Sequence, residues 1–510
     1  MEASRAEVKQ LPIPTRVGLL VLIVLLGFAW RFVGLAKESI WLDEVTSLII
    51  ARMDLRSEIA WAAADIHPPL YYFALHAWLP AGETEFSLRA LSAAFGVLAI
   101  AILYAFGREL FGPQTPLLAA LLLALSPLHI WYSQEARMYS MVATLSLFSS
   151  YFLLLALRRG QMRYWLGYIL TAALALYTHY FALFVLLFQN VFAFYWLWRG
   201  NCAKDQWSKW LAAGLAIGVL FLPWLPIFYR QVVARGGGWV EKAIGKPSVR
   251  ILFDTWLSFN IGPDGKLYPV LLRRLAYILF GAAGIIAFAE LFWGFVSREA
   301  KRGFVNIYNA YREGLILCLL YSVFPLLTIW LLAQVTPMYA LRYLSPFLPP
   351  YYLFVAYGIR AVKWSWIRVA VILSLVLILL VGNWNAWHTE QRDDWRGIAA
   401  YVLAQAQPGD VVLFSPRWNA KPFDYYARGR MAINMDLPIP VTIQAAKDVV
   451  SDISQHHTRV WLIWQHGHYS DPEGGVKQVL DQQFHLVEMR RFREMLDVLL
   501  YEVTANSAKG

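Results

Sequence analysis

The chain has 510 residues, 59% hydrophobic and 15% charged, with 23 Trp, 27 Tyr and 30 Phe; soluble domains run near 45–50% apolar and about 25% charged, so the composition excludes an ordinary soluble, disordered or collagen-like chain and points to a polytopic membrane protein. Two cysteines, Cys202 and Cys318, exclude a disulfide framework and a thiolate metal site. The net charge of +11 is uneven: residues 388–510 hold 13 basic and 15 acidic side chains, residues 1–387 hold 32 and 19, and the basic ones lie between apolar runs. That is the distribution of cytoplasmic loops and anionic-lipid contacts, so membrane lipids and no nucleic acid are the expected partners.

In chain order, the first apolar run, 17–35, contains Arg31 and no small-residue cleavage site, and reads as a retained span. Runs of about 20 residues, enough for a hydrocarbon core of ~30 Å, then recur at 86–106, 116–130, 139–157, 165–180, 181–198, 210–228, 271–296, 315–333, 346–359 and 366–381, about eleven spans in all. Arg158, Arg159 and Arg163; Arg199, Lys204 and Lys209; Arg298, Lys301, Arg302 and Arg312; and Arg360, Lys363 and Arg368 all fall on the side of N-terminal Arg5, Lys9 and Arg16. The excess of basic residues makes that side cytoplasmic, and an odd span number places the C-terminal region outside.

Three outer segments are too long for turns. In the first, 36–85, the stretch 44–64 has apolar residues at helical spacing interleaved with charges, and Trp61, Tyr71, Tyr72 and Trp78 add rings, the pattern of helices lying in the membrane interface. The second, 229–270, carries Gly236-Gly237-Gly238 and Gly262-Pro263-Asp264-Gly265, strong turn formers. From residue 388, β-rich runs at 411–415, 460–464, 485–487 and 498–503 alternate with helical patterns at 395–406, 441–456 and 476–483. That alternation predicts a small α/β domain with a mainly parallel sheet. The predicted architecture is thus an α-helical polytopic membrane domain, 1–387, with interfacial helices in its first outer loop, and a C-terminal α/β domain, 388–510.

The polar residues that stand out share one outer boundary. Asp43-Glu44 follows the first span and suits a helix N-terminus, where carboxylates cap and face the dipole. In Asp65-Ile66-His67-Pro68-Pro69 the prolines restrict the backbone and aim His67, and also form a rigid bend. Arg89 opens the second span, where an arginine can reach headgroups. Glu135 and Arg137 sit on a short turn; Thr178-His179-Tyr180 closes the 165–180 run; Arg342-Tyr343 precedes the 346–359 run. No internal repeat is visible. A transporter or flippase for a lipid-linked substrate is the alternative class, but it usually shows paired repeats and charges near the midplane.

Asp43-Glu44, His67-Pro68-Pro69-Leu70, and Arg89 with Ser92, Ala93 and Gly96 resemble, in kind and order, the protein O-mannosyltransferases, and the layout is similar to bacterial lipid A aminoarabinose transferases. Both belong to the membrane-embedded C superfamily of glycosyltransferases, which use polyprenyl-phosphate-linked sugars. The stretch 133–140 with Thr178-His179-Tyr180 resembles further bacterial members of that group. The resemblance covers residues 15–200 well and the later spans loosely. The aminoarabinose enzymes carry lysine where His67 stands, and the C-terminal region does not resemble the β-trefoil of eukaryotic mannosyltransferases, so neither substrate is carried over.

The resemblance implies Asp43 as the base and Glu44 as the group orienting the site or the acceptor. It implies Arg89, Arg137, His67 and Arg342 at the donor phosphate, where guanidinium forks suit phosphate oxygens. Glu135, His179, Tyr180 and Tyr72 are expected to meet sugar or acceptor. The anomeric configuration is expected to invert. No metal is needed, a divalent cation being the alternative. The donor is a polyprenyl-phosphate sugar, the acceptor a lipid, glycan or protein, and the location the bacterial inner membrane with a cytoplasmic N-terminus and an extracytoplasmic C-terminal domain.

Overall fold

Long apolar sequences leave the backbone no partner in hydrocarbon except itself, and helices result. The computed structural model describes residues 12–200, 205–231, 245–296, 305–466, 468, 470–493 and 495–503. Expectations that rest on Arg5, Lys9, Cys202, Lys204, Gly236, Gly237, Gly238, Arg298, Lys301 and Arg302 lie outside the described residues. Two compact units emerge: the described residues of Met1–Leu35 and Ile50–Thr389 form one, and those of Ala36–Ile49 and Glu390–Gly510 the other.

In the first unit, α1 (Ile13–Phe32) precedes α2 (Leu42–Ala51), which runs from one unit into the other, and two short helices, α3 (Leu55–Ala64) and α4 (Leu70–Trp78). Asp54 starts α3 by accepting the Arg56 and Ser57 N–H groups, as an N-cap should. Then come α5 (Glu85–Phe111), α6 (Gln114–Leu125), α7 (Pro127–Ser133), α8 (Tyr139–Arg159), α9 (Met162–Thr178), α10 (Ala182–Trp198) and α11 (Gln206–Phe221). After α12 (Leu225–Tyr229) follow α13 (Arg250–Ile261), α14 (Val270–Val296), α15 (Val305–Leu332), α16 (Leu348–Ala361) and α17 (Ser365–His388).

Among the described residues, seven helices are long and apolar enough to cross a membrane, or eight if the bent pair α6 and α7 is one span. The expectation of about eleven also counts α9 and α10, with 17 residues each, and α16, with 14. At 1.5 Å per residue, 14 residues reach only about 21 Å, less than a hydrocarbon core. Leu22, Leu215, Ile285 and Leu373 are exposed, as apolar side chains facing lipid would be.

Pro127 cannot continue α6, and the chain bends by 59° into α7. The carbonyls released there are captured by side chains from distant helices. The fully buried Arg31 donates to Leu123 and Ala124 O, each at 3.0 Å, and Asn383 Nδ2 donates to Leu125 O at 2.8 Å. Arg31 also lies 2.8 Å from His129 Nδ1. The charge inside the first apolar run is therefore an inter-helix staple. Unpaired carbonyls in hydrocarbon would cost several kcal/mol each. Gly96 permits the same junction to close, since a methyl there would meet Ser133 Cβ at 2.7 Å.

In the second unit, α18 (Trp395–Gln405) leads to β1 (Asp410–Ser415), α19 (Ala420–Ala427), β2 (Ala432–Asn434), α20 (Ile443–His456), β3 (Arg459–Gln465), α21 (Gly475–Gln483), β4 (His485–Arg493) and β5 (Leu496–Glu502). Sheet order is β2-β1-β3-β5-β4, with Val411 opposite Val460 and Leu413 opposite Leu462 in the parallel β1–β3 pair. Alternation divides the core between two faces. Val411, Leu413, Val460 and Leu462 pack with Val450 and Ile453 of α20 and Val479 of α21. Val412, Phe414, Trp461 and Ile463 pack with Ile398 and Val402 of α18 and Phe423 of α19. The sheet is mixed rather than mainly parallel, because β3–β5 and β4–β5 are antiparallel. Only two residues separate β4 from β5, which permits a hairpin and no crossover. The three-residue β2 is too short to show in hydrophobic alternation.

Candidate active site

Four segments of the first unit converge. His67 lies between α3 and α4 in front of two prolines, the second of which begins α4. Arg137 stands on the turn between α7 and α8, with its N–H on Glu135 O at 2.7 Å. Ser92 of α5 holds that turn: its hydroxyl donates to Arg137 O at 2.9 Å and lies 2.9 Å from the Tyr71 hydroxyl, while Ser140 donates to Ser92 O. Gln134 secures the same turn to α1 by donating to Trp30 O at 3.1 Å. His179 ends α9 in extended backbone, and Arg342 and Tyr343 lie on the 3-10 turn Leu341–Phe347, which Ser345 joins to Tyr139 O at 3.1 Å.

The rings meet in one group. His67 and His179 are 5.4 Å apart between centroids, His179 and Tyr343 4.9 Å, and His67 and Tyr343 6.4 Å. Tyr139 adds a wall 6.3 Å from both His179 and Tyr343, and Phe181 lies 5.0 Å from Tyr343. The Arg342 guanidinium sits 5.4 Å from the Tyr343 ring centre. His67, Arg137 and His179 are buried. Burial first, then the charges of Arg137, His179 and Arg342, holds His67 well below the ordinary histidine value. His179, in the link between α9 and α10, is lowered by burial first and then by Arg137 and Arg342. Two guanidinium groups and two neutral imidazoles among aromatic walls are chemically suited to hold an anion, since a positive field acts strongly in a low-dielectric setting.

The other sequence candidates of this unit stand as follows. Arg89 is buried and donates to Leu35 O at 2.9 Å, near the end of the first span. Glu135 is buried on the Arg137 turn, and the Tyr72 ring packs against Trp61 at 6.1 Å. The Tyr180 hydroxyl points to Gln231 and accepts from Trp224 Nε1 at 2.8 Å, and Gln231 in turn donates to Ala62 O. Tyr180 therefore braces Gln231, which fastens the chain after α12 to α3. Tyr139 and Tyr343 fall within the sequence motifs without being singled out there; a tyrosine within two positions after Arg137 and after Arg342 is the signal that could have found them.

Asp43 and Glu44 belong to the second unit, on the first turn of α2, where carboxylates face the helix N-terminus. Glu44 is fully buried and its Oε2 lies 3.1 Å from Arg392 Nη1, while Arg392 Nε is 3.6 Å from Glu38 Oε2. Ser39 bonds to Asp394 at 3.1 Å and the Ile40 N–H to the Tyr426 hydroxyl at 2.7 Å. Residues 36–49 are thus stitched to the C-terminal part of the chain. Arg392 carried no sequence signal beyond being a lone cation in Gln391-Arg392-Asp393-Asp394. Among the described residues no three His, Cys, Asp or Glu side chains gather as a metal-binding group.

The helical unit, with its buried cationic and aromatic residues, and the small α/β unit share the fold of the solved ArnT and AglB structures. Residues 66–227 match the family described as dolichyl-phosphate-mannose-protein mannosyltransferase. Among solved structures, ArnT from Cupriavidus metallidurans in the apo state is similar at TM-score 0.61 and 12% identity, over 97% of this chain and 100% of that one. The same enzyme bound to undecaprenyl phosphate gives 0.55 at 13%, over 98% and 100%. The archaeal oligosaccharyltransferase AglB from Archaeoglobus fulgidus, in complex with an inhibitory peptide and a dolichol-phosphate, gives 0.56 at 12%, over 96% and 74%. No curated protein matches the chain.

Proposed function

We propose that this protein transfers a sugar from a polyprenyl-phosphate donor to an acceptor hydroxyl at the outer face of a bacterial inner membrane. The observation that carries the reading is the convergence of Arg137, Arg342, His67 and His179 from four separate segments. In such a donor the leaving group is a phosphate that departs with the electron pair of the anomeric C–O bond. It needs cations more than a general acid. Arg137 and Arg342 supply the charge, with His67 beside them and Arg89 a further cation. The acceptor oxygen forms the new bond to the anomeric carbon on the opposite face, inverting it, and its proton passes to Asp43. Glu44, held by Arg392, fixes the turn that carries Asp43. Glu135 and Tyr72 would contact sugar or acceptor, which is a lipid, glycan or protein hydroxyl.

The test exposes the purified full chain in detergent to a panel of radiolabelled polyprenyl-phosphate sugars. Transfer or donor hydrolysis is expected without sealed vesicles, which transport would require. Asp43→Asn should retain donor and lose at least about 100-fold in turnover, the scale of a general base. Near-normal turnover by that variant removes the base assignment, and unchanged donor binding by Arg137→Ala removes the phosphate assignment.

A further inference from the structure

His179 carries a donor that the fold leaves unused. Its Nδ1 accepts the backbone N–H of Phe181 at 3.1 Å. An N–H donates, so Nδ1 must present a lone pair, and the ring proton resides on Nε2. The tautomer follows from the main chain. Nε2 is buried and meets no hydrogen-bond partner among the described residues, and His179 as a whole is 4% exposed. A buried N–H without an acceptor costs about 1–3 kcal/mol, so its persistence calls for a reason. The ring stands in the cluster of His67, Tyr139, Phe181 and Tyr343, within the field of Arg137 and Arg342. That positive field favours an anionic acceptor over a sugar hydroxyl.

Building on the glycosyl-transfer reading, we infer that His179 Nε2–H is a fixed, neutral hydrogen-bond donor to a phosphate oxygen of the polyprenyl-phosphate group. The sequence motif had placed His179 with sugar or acceptor. In this role the imidazole neither gives nor takes a proton. It contributes direction, while Arg137 and Arg342 contribute charge, and the Phe181 N–H keeps the ring from turning. Because Nδ1 is engaged, the ring cannot become a cation without losing that bond, so His179 does not serve as the base.

The experiment measures binding of a short-chain polyprenyl phosphate and of the matching uncharged alcohol to the purified full chain in detergent. His179→Phe keeps an aromatic ring and removes the donor, and His179→Gln returns an N–H to the Nε2 position. A hydrogen bond to a charged group predicts that His179→Phe weakens the phosphate about 10- to 100-fold. The alcohol should be unaffected, and His179→Gln should recover most of the loss. Unchanged phosphate binding by His179→Phe overturns the inference. So does an equal loss for phosphate and alcohol, which would mark a packing role. If His179→Phe is not monodisperse, His179→Asn, too short to reach the Nε2 position, takes its place with the same expected outcome. A wild-type protein that binds phosphate no better than alcohol overturns the donor reading itself, a result separate from the variant comparison.

Discussion

The Glu44–Arg392 pair tests how the acidic turn at the start of α2 is held. Glu44 is fully buried and the Arg392 side chain is 10% exposed, with 3.1 Å between Oε2 and Nη1. Removing one partner of a buried pair leaves an uncompensated charge, at about 3–5 kcal/mol. Arg392→Ala should cost an amount of that order, because the buried Glu44 Oε2 loses its contact with Arg392 Nη1. The double variant Glu44→Gln with Arg392→Met removes both charges and should cost much less than the sum of the singles. A coupling of about 2 kcal/mol or more is expected, given direct contact. Chaotrope titration of the full chain in detergent measures it, followed by tryptophan fluorescence, with sugar transfer as a second readout. If Glu44 acts by holding the turn, Arg392→Ala and Glu44→Gln reduce transfer together. Additive singles, or Arg392→Ala within about 0.5 kcal/mol of wild type, would refute the reasoning.

Arg31→Met should destabilise the first unit by about 2–5 kcal/mol, since two carbonyls at the α6–α7 break lose their donors in an apolar setting; a melting temperature unchanged within error would contradict the staple. Acid should destabilise the fold through His67. Its native value lies below its unfolded value near 6.5, so the unfolded chain binds the extra proton, and stability falls as pH drops below about 6.5, by up to about 1.4 kcal/mol per pH unit. Melting of wild type and His67→Gln between pH 7 and 5 checks this, the variant being expected to show the shallower dependence.

Much of this protein was written locally. The apolar runs coincide with helices because hydrophobicity and backbone self-satisfaction act over about 20 neighbouring residues. The strand–helix alternation after residue 388 surfaced as a three-layer α/β unit for a similar reason, since burial on both faces of β1 and β3 makes those strands continuously apolar. The motif residues His67, Arg137, His179 and Arg342 were visible as polar anomalies at one boundary.

Their meeting was decided by tertiary structure. The bend at Pro127 re-aims the chain so that the Arg137 turn reaches Ser92, and the bend is held by Arg31 and Asn383 from opposite ends of the membrane-spanning sequence. The role of Glu44 was equally hidden, because its partner lies 348 residues away. Hydrophobic pattern and turn chemistry are short-range properties that specify which segments become helices and strands. Which loops then touch depends on how those elements pack, and a side chain's partner across hundreds of residues leaves no trace in its own neighbourhood.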